Sequence, residues 1–447
     1  MAQPNRRDVL QKAGAGIVAG SLVGLSGCSD GGGGGGGNGG DGGSGGGNGG
    51  GGGGGGGTTG GEVSGSLKVG ILEPLSGPTA ISGQEAQQGS RVTADFINEN
   101  TDLEIELVVE DTEASPETGV QRARALIQQE DVDMIHGIVS SAVAKAVVEF
   151  TSQQQVPLIG TATQTPDITK KQCSRYTFRT TTNLIHQQRA TAKMVADNLV
   201  GDGEAVDIHG VNPDYVYGQQ SWDVFRNVYP ELNSAATITG SEFPAFLKGD
   251  YNQEIQAILD QDPDIVHSSL YSGDMISFIQ QAQQFDFFEQ IDAFLAGVVP
   301  AEINIALGPE GTPDNLWSVV STYIRWPEGN ERLQTFNEEY RSRYDMPSAG
   351  EPTSFSYENA KAMRATQKAI EQAGSLNVED IIDAMEGLRV DNAPAPSATI
   401  REGDHQAVAD QYLTGPHGPI SDYDFYGYEE LLPVSGDFIA DGVECTL

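Results

Sequence analysis

Two α/β lobes, each a doubly wound parallel sheet with helices on both faces, are the fold this sequence predicts, and three observations carry the prediction. Short apolar runs of strand length alternate with longer stretches whose apolar residues recur at helical spacing. That unit repeats from about Leu67 and then restarts after Arg179, the rhythm of strands that lie parallel because a helix separates each from the next. The body from about Ser66 onward is also long enough to divide into two cores.

The elements follow in order. Residues 67–72 read as a buried strand, and after a Pro/Gly loop Ala86, Gly89, Val92, Phe96 and Ile97 fall on one helical face. Residues 105–109 form the next strand, Val120, Ala123 and Ile127 mark a helix, and residues 134–139 a third strand. A helix with Val143, Ala146, Val147 and Phe150 leads to a strand at residues 156–159. The second series has a helix to about Leu199, then strands near 205–209, 236–239, 265–267 and Phe294. Helices marked by Trp222 and Phe225, by Ile255 and Ile258, and by residues 274–285 separate them. A strand at 316–323 and helices at 331–344 and 357–373 remain, and these complete the first lobe if the chain crosses back.

The first 28 residues read as an address and not as fold. Arg6 and Arg7 head a basic region, and the apolar stretch 13–25 falls short of the roughly 20 residues that span a bilayer. Arg6-Arg7-Asp8-Val9-Leu10 resembles a twin-arginine export signal, and Leu25-Ser26-Gly27-Cys28 resembles a lipobox, in which Cys28 is lipidated and begins the mature chain. Residues 29–65 form a linker. From 31 to 61 it is glycine broken only by Asn38, Asp41, Ser44, Asn48, Thr58 and Thr59, with ends on the order of 30 Å apart as a random coil. The expectation is a globular body tethered to the outer face of the cell membrane.

Without residues 1–28 the chain carries 22 basic against 62 acidic residues, a net charge of −40. The acids are dispersed, which predicts a solvated acidic surface of the kind extreme halophiles use and disfavours nucleic acid as a partner. Six scattered histidines and the body's two cysteines, Cys173 and Cys445, offer no metal-binding spacing. Neither a nucleophile elbow nor a dinucleotide fingerprint is present in the body, so an enzyme is not expected.

Ligands of open parallel sheets bind where strands end and helices begin. Gly137-Ile138-Val139-Ser140-Ser141-Ala142 places two hydroxyls at such a junction, where free helix-start amides receive an anion, although Ser140 in that position also serves as an ordinary cap. The loop from Gly160 to Pro166 adds Thr161, Ala162 and Thr163. Tyr217, in Tyr215-Val216-Tyr217-Gly218, and Tyr271, in Leu270-Tyr271-Ser272, stand at strand ends of the second lobe and offer rings with single hydroxyls. Each also fits ordinary packing.

Val69-Gly70-Ile71-Leu72-Glu73-Pro74-Leu75-Ser76-Gly77, Ser140-Ser141, Thr161-Ala162-Thr163 with Pro166, Tyr176-Thr177-Phe178-Arg179-Thr180, Tyr217-Gly218 and Tyr357-Glu358-Asn359-Ala360 occur in order. Together they resemble the type I periplasmic binding proteins of the branched-chain amino acid branch. The resemblance implies a hinge crossed three times, with residues 66–183 plus 325–408 in lobe I and 184–324 plus 409–447 in lobe II. It implies a monomer, without cofactor or metal, that closes on a small ligand and is received by an ABC permease with its ATPases. Ser140 and Thr163 would hold a carboxylate through hydroxyls and backbone amides, and Ser141 and Ala162 in the same turns are further ligand-binding candidates. Thr161 would offer its carbonyl to an ammonium, Tyr217 and Tyr271 would close from lobe II, and Ser82 would lie at the rim Ala80-Ile81-Ser82-Gly83.

One segment departs from the pattern. Amino-acid-binding relatives place an ammonium-binding glutamate in the loop that here reads Gly297-Val298-Val299-Pro300-Ala301-Glu302, and Glu302 serves that role only with a shifted loop. The rim also resembles the urea and short-amide branch, so amides stand as an alternative ligand and ligand sensing as an alternative role. A further family pattern, a cysteine before the Tyr-x-Phe-Arg strand and another near the C-terminus, implies a disulfide between Cys173 and Cys445. Mass analysis of unreduced peptides is expected to recover the two linked; both found as free thiols would overturn the pairing.

Overall fold

Strand β1 (Gly65–Glu73) is buried on both faces, turning Leu67, Val69 and Ile71 to one helical layer and Leu72 to the other. This computed structural model describes residues 63–77, 79–297, 301–321, 331–344, 352–419, 426–427, 431–445 and 447. The signal sequence, Cys28 and nearly all of the linker lie outside the described residues, as does the side chain of Glu302.

β1 is followed by β2 (Leu103–Asp111), β3 (Met134–Gly137), β4 (Leu158–Gly160) and β5 (Thr177–Arg179), all parallel in the order β2-β1-β3-β4-β5. Helices Pro116–Gln128 and Ser141–Gln154 cover one face, and helix Ala80–Asn100 lies on the other. β3 ends at Gly137, two residues earlier than its apolar run predicts. Ile138 turns to φ 74°, which takes it out of the extended region.

The chain then leaves this sheet. Helix Leu184–Met194 leads into β6 (Val206–Val211), β7 (Ala236–Glu242), β8 (Ile265–Ser268), β9 (Ala293–Ala296) and β10 (Leu316–Val320) of a second sheet. Helices Leu184–Met194 and Val216–Leu232 cover one of its faces, helices Asn252–Leu259 and Ser272–Ala282 the other. After β10 the chain returns to the first sheet: helices Glu331–Arg343, Ser354–Ala373 and Val378–Met385 bury Phe336, Tyr357, Met363 and Ile382 against Leu67 and Val69. A small antiparallel sheet follows, β11 (Arg389–Val390), β12 (Ala398–Ile400) and β13 (Ala407–Val408).

A third crossing, between β13 and β14 (Gln411–Thr414), brings the chain back to the second sheet. There β14 pairs antiparallel with β10, and beyond the short pair β15 (Gly418–Pro419) and β16 (Tyr426–Gly427), β17 (Leu431–Val434) pairs antiparallel with β14. The second sheet, ordered β17-β14-β10-β9-β8-β6-β7, is therefore mixed and not parallel throughout as expected. The physical reason is connectivity: after β10 the chain leaves for the first sheet, whereas β14 follows β13 by a two-residue link as the chain comes back, so the two strands run in opposite directions.

The C-terminal segment fastens the hinge. Cys173 and Cys445 are joined by a disulfide with Cα atoms 6.0 Å apart. Close by, the Asp441 carboxylate meets Lys170 Nζ at 3.1 Å, His186 Nε2 at 2.9 Å and an Arg401 guanidinium nitrogen at 3.2 Å.

Helices Ala80–Asn100 and Ser354–Ala373 approach so closely that a Cβ on Gly89 would lie 2.1 Å from the Ser356 carbonyl oxygen. Backbone cannot yield there as a flexible side chain would. Gly89→Ala is expected to lower unfolding stability by about 2–3 kcal/mol in urea titration, despite alanine's better helix propensity.

Candidate ligand cleft

The order β2-β1-β3-β4-β5 reverses direction between β1 and β3, and the second sheet reverses between β6 and β8, so the connections leaving these strand ends diverge and open a crevice in each lobe. The two crevices face one another. Their shared cleft encloses about 760 Å³ of space, its open mouth included. Lobe I supplies Val139 and Ser141 after β3, Ala162 and Gln164 after β4, and Ser354, Phe355 and Glu358 from the returning helix; lobe II supplies Tyr215, Tyr217, Tyr271 and the end of β10, Val319 to Ser321.

The turn after β3 is held from beneath. Gly137 has φ 132°, where a Cβ would stand 2.6 Å from the Leu72 carbonyl oxygen, and β-branched Ile138 occupies the left-handed region, a strain of about 1–3 kcal/mol. The fully buried Glu73 carboxyl accepts the Val139 amide at 3.0 Å. Burial pushes Glu73 up to about 8, against the lowering effect of the nearby Val139 and Ile138 amides. Glu73 thus fixes the turn that presents Val139 and Ser141 to the cleft.

Ser140 stands at the N-cap position of helix Ser141–Gln154, yet its side chain makes no cap bond. The helix-start amides are not all free as expected: the Ser141 amide donates to Tyr215 Oη at 2.8 Å, a bond from lobe I to lobe II. Further ties between the lobes run from Thr165 Oγ1 to Gln220 Oε1 at 3.1 Å and from Gln220 Nε2 to Asp167 Oδ2 at 3.5 Å. Rings of Tyr217 and Tyr271 meet edge to face with centroids 5.9 Å apart. Burial drives both hydroxyls well above the usual phenol range, so they remain neutral donors.

Of the residues picked out in the sequence, the structure brings Ser141, Ala162, Tyr217 and Tyr271 together as lining. Ser140, Thr161 and Thr163 stand in the same turns, buried and outside the lining, with the Thr163 hydroxyl unpartnered. Ser82 is fully buried and apart from the cleft, whereas its neighbour Ile81 is exposed. Glu302 belongs to helix Ala301–Gly311.

Sequence reading missed Tyr215, which lies two residues before Tyr217 in the same strand-end segment and was the better candidate for reaching lobe I. It also missed Phe355 and Glu358. Glu358 is 4% exposed and accepts from Lys361 Nζ at 3.0 Å and from Ser321 Oγ of the opposite lobe. Its signal was the one charged residue among the first seven of helix Ser354–Ala373.

Two lobes joined by three crossings, with a cleft between strand ends, define a binding protein. A profile described as periplasmic binding protein matches residues 66–415, and the chain belongs to that family. The Leu/Ile/Val-binding protein BraC3 of Rhizobium johnstonii is 25% identical over 188 residues, covering 40% of this chain and 50% of that protein, so the match spans half its length. Leu/Ile/Val-binding protein homolog 6 of Brucella abortus is 24% identical over 349 residues, 76% of this chain and 85% of that protein. Among solved structures, an R. palustris ABC-transporter solute-binding protein in complex with benzoate superimposes with TM-score 0.71 at 19% identity, over 86% of this chain and 100% of that one. A leucine-binding protein of Thermotoga maritima gives 0.70 at 21%, over 82% and 98%. These likenesses establish the fold, and family membership makes the chain a binding protein and not an enzyme.

Because the folded pKa of Glu73 lies above its unfolded value of 4.5, the protonated carboxyl favours the folded state fully below about pH 4.5, and this advantage is lost as pH rises to about 8. Glu73→Gln removes the titration. The stability difference between variant and wild type is expected to shift in the variant's favour across that window, by at most about 1.4 kcal/mol per pH unit, read from denaturant midpoints at each pH.

Proposed function

We propose that this protein captures an amino acid with a branched-chain or other apolar side chain in the interlobe cleft and delivers it, closed, to the permease and ATPases of an ABC importer. The carrying observation is the cleft's composition: tyrosine rings and hydroxyls from lobe II face small apolar residues and a strand-to-helix turn of lobe I, the surroundings that suit a ligand with an apolar body and one polar end. The names of the Leu/Ile/Val-binding relatives support this reading. Cys28 as a lipid anchor, a twin-arginine export route and the glycine-rich tether complete the proposal, placing the body at the outer membrane face.

A second reading, an aromatic carboxylate, is favoured by the four rings of Tyr215, Tyr217, Tyr271 and Phe355 in the lining and by the benzoate complex of a structural neighbour. A thermal-shift panel separates the readings. Leucine, isoleucine or valine is expected to stabilise the protein, by about 2.7 kcal/mol at one hundred times the dissociation constant. Response to benzoate alone would favour the second reading, and response to urea or acetamide alone would overturn both. Ser141→Ala, which removes a lining hydroxyl at the turn after β3, is expected to weaken binding by about 1.5–3 kcal/mol in calorimetry through loss of a bond to a charged group; an unchanged dissociation constant would remove Ser141 from the site.

A further inference from the structure

Among the described lining residues Glu358 alone carries a formal charge, and none is a lysine, arginine or histidine. Its carboxylate is fixed from two sides. Lys361, 1% exposed, holds Oε2 from within lobe I, and Ser321 reaches Oε1 from lobe II. Lys361 is thereby spent and lies out of reach behind the wall. A carboxylate has about four acceptor positions, so each oxygen keeps one for a donor in the cleft. Phe355, three residues earlier on the same helix, and the rings of Tyr215, Tyr217 and Tyr271 line the same space. A carboxylate in a cleft lined by aromatic rings, with no cationic side chain among the described lining residues, is an environment that suits a buried ammonium.

We infer that Glu358 receives the ligand's ammonium and sets selectivity for amine-bearing solutes, the role that the sequence offered only to Glu302. The inference rests on the amino-acid reading and sharpens it: the ligand lies with its ammonium toward helix Ser354–Ala373 and its carboxylate toward the start of helix Ser141–Gln154, whose amides and positive dipole end attract anions. Glu358 acts on the ligand directly, so its removal discriminates between ligands that differ only in the amino group.

The test compares leucine with 4-methylpentanoate, the same skeleton without the ammonium, by calorimetry and by competition on wild type and Glu358→Gln. Since that variant leaves Lys361 buried without a counter-charge, the double variant Glu358→Gln with Lys361→Met is measured beside it. Both variants are expected to lower the preference for leucine over 4-methylpentanoate by ten- to one-hundred-fold, almost wholly through weaker leucine binding. Unchanged leucine affinity in a folded variant would overturn the assignment, as would equal losses for both compounds. Wild-type protein that binds no amino acid would instead overturn the amino-acid reading itself, and the role of Glu358 with it.

Discussion

Arg179 is the interaction on which both the cleft and the hinge depend. It ends β5, is fully buried, and spends its guanidinium on the backbone carbonyls of Thr163 and Thr165. Burial draws it down to about 9, so it remains a cation at neutral pH, and Asp441, Asp404 and Asp167 supply the compensating field. A buried charge of this kind is tolerated only when it is paired and bonded, so its partners cannot move independently. Two of those acids belong to the late segments that return through the hinge. The third, Asp167, follows the cleft loop and accepts from Gln220 of lobe II. Loop 161–165 is therefore held at the cleft by a cation that the C-terminal part of the chain must be in place to neutralise.

That dependence explains what could be read from sequence and what could not. Parallel strands buried on both faces write continuous apolar runs, so β1, β3, β6 and β8 were legible to within a few residues. The cleft turns were legible because topology alone puts ligands at strand ends. Strands β11 to β17 were not, since elements of two to four residues with no helix between them carry no period. The mixed character of the second sheet also escaped, because direction is decided by how the chain enters and not by its composition. Ser82 illustrates the limit at the site: one residue along a helix turns a side chain through about 100°, so Ile81 is exposed and Ser82 is buried. Glu358 escaped for the opposite reason. Its place in the cleft results from a helix more than two hundred residues from β3 packing beside it, a contact that no local pattern encodes.

The charge of the chain and the charge of the cleft follow different rules. The sequence holds 63 acidic residues, yet among described residues the cleft lining contains a single carboxylate. Dispersed surface acids act through solvation and are screened within about 10 Å at moderate salt, whereas Glu358, clamped between Lys361 and Ser321, lies where screening is weak. The Glu358 carboxylate inside the cleft is thus insulated from the acidic exterior.

Closure completes the argument. The bonds from lobe to lobe across the cleft are Ser141 to Tyr215, Thr165 and Asp167 to Gln220, and Ser321 to Glu358 among the described residues. At about 0.5–1.5 kcal/mol each, and offset by ordering of the side chains, they amount to a few kcal/mol, too little to lock two lobes on their own. A ligand that touches both walls adds a comparable amount to the closed state only, so it shifts the hinge equilibrium by its differential affinity. Tyr215 and Ser321 serve this equilibrium well because each binds a group that also lines the cleft: the start of helix Ser141–Gln154 and the Glu358 carboxylate. On the proposed placement of the ligand, binding and closure therefore depend on the same two polar ends of the cleft, and a solute that satisfies only one of them leaves the lobes only partly committed.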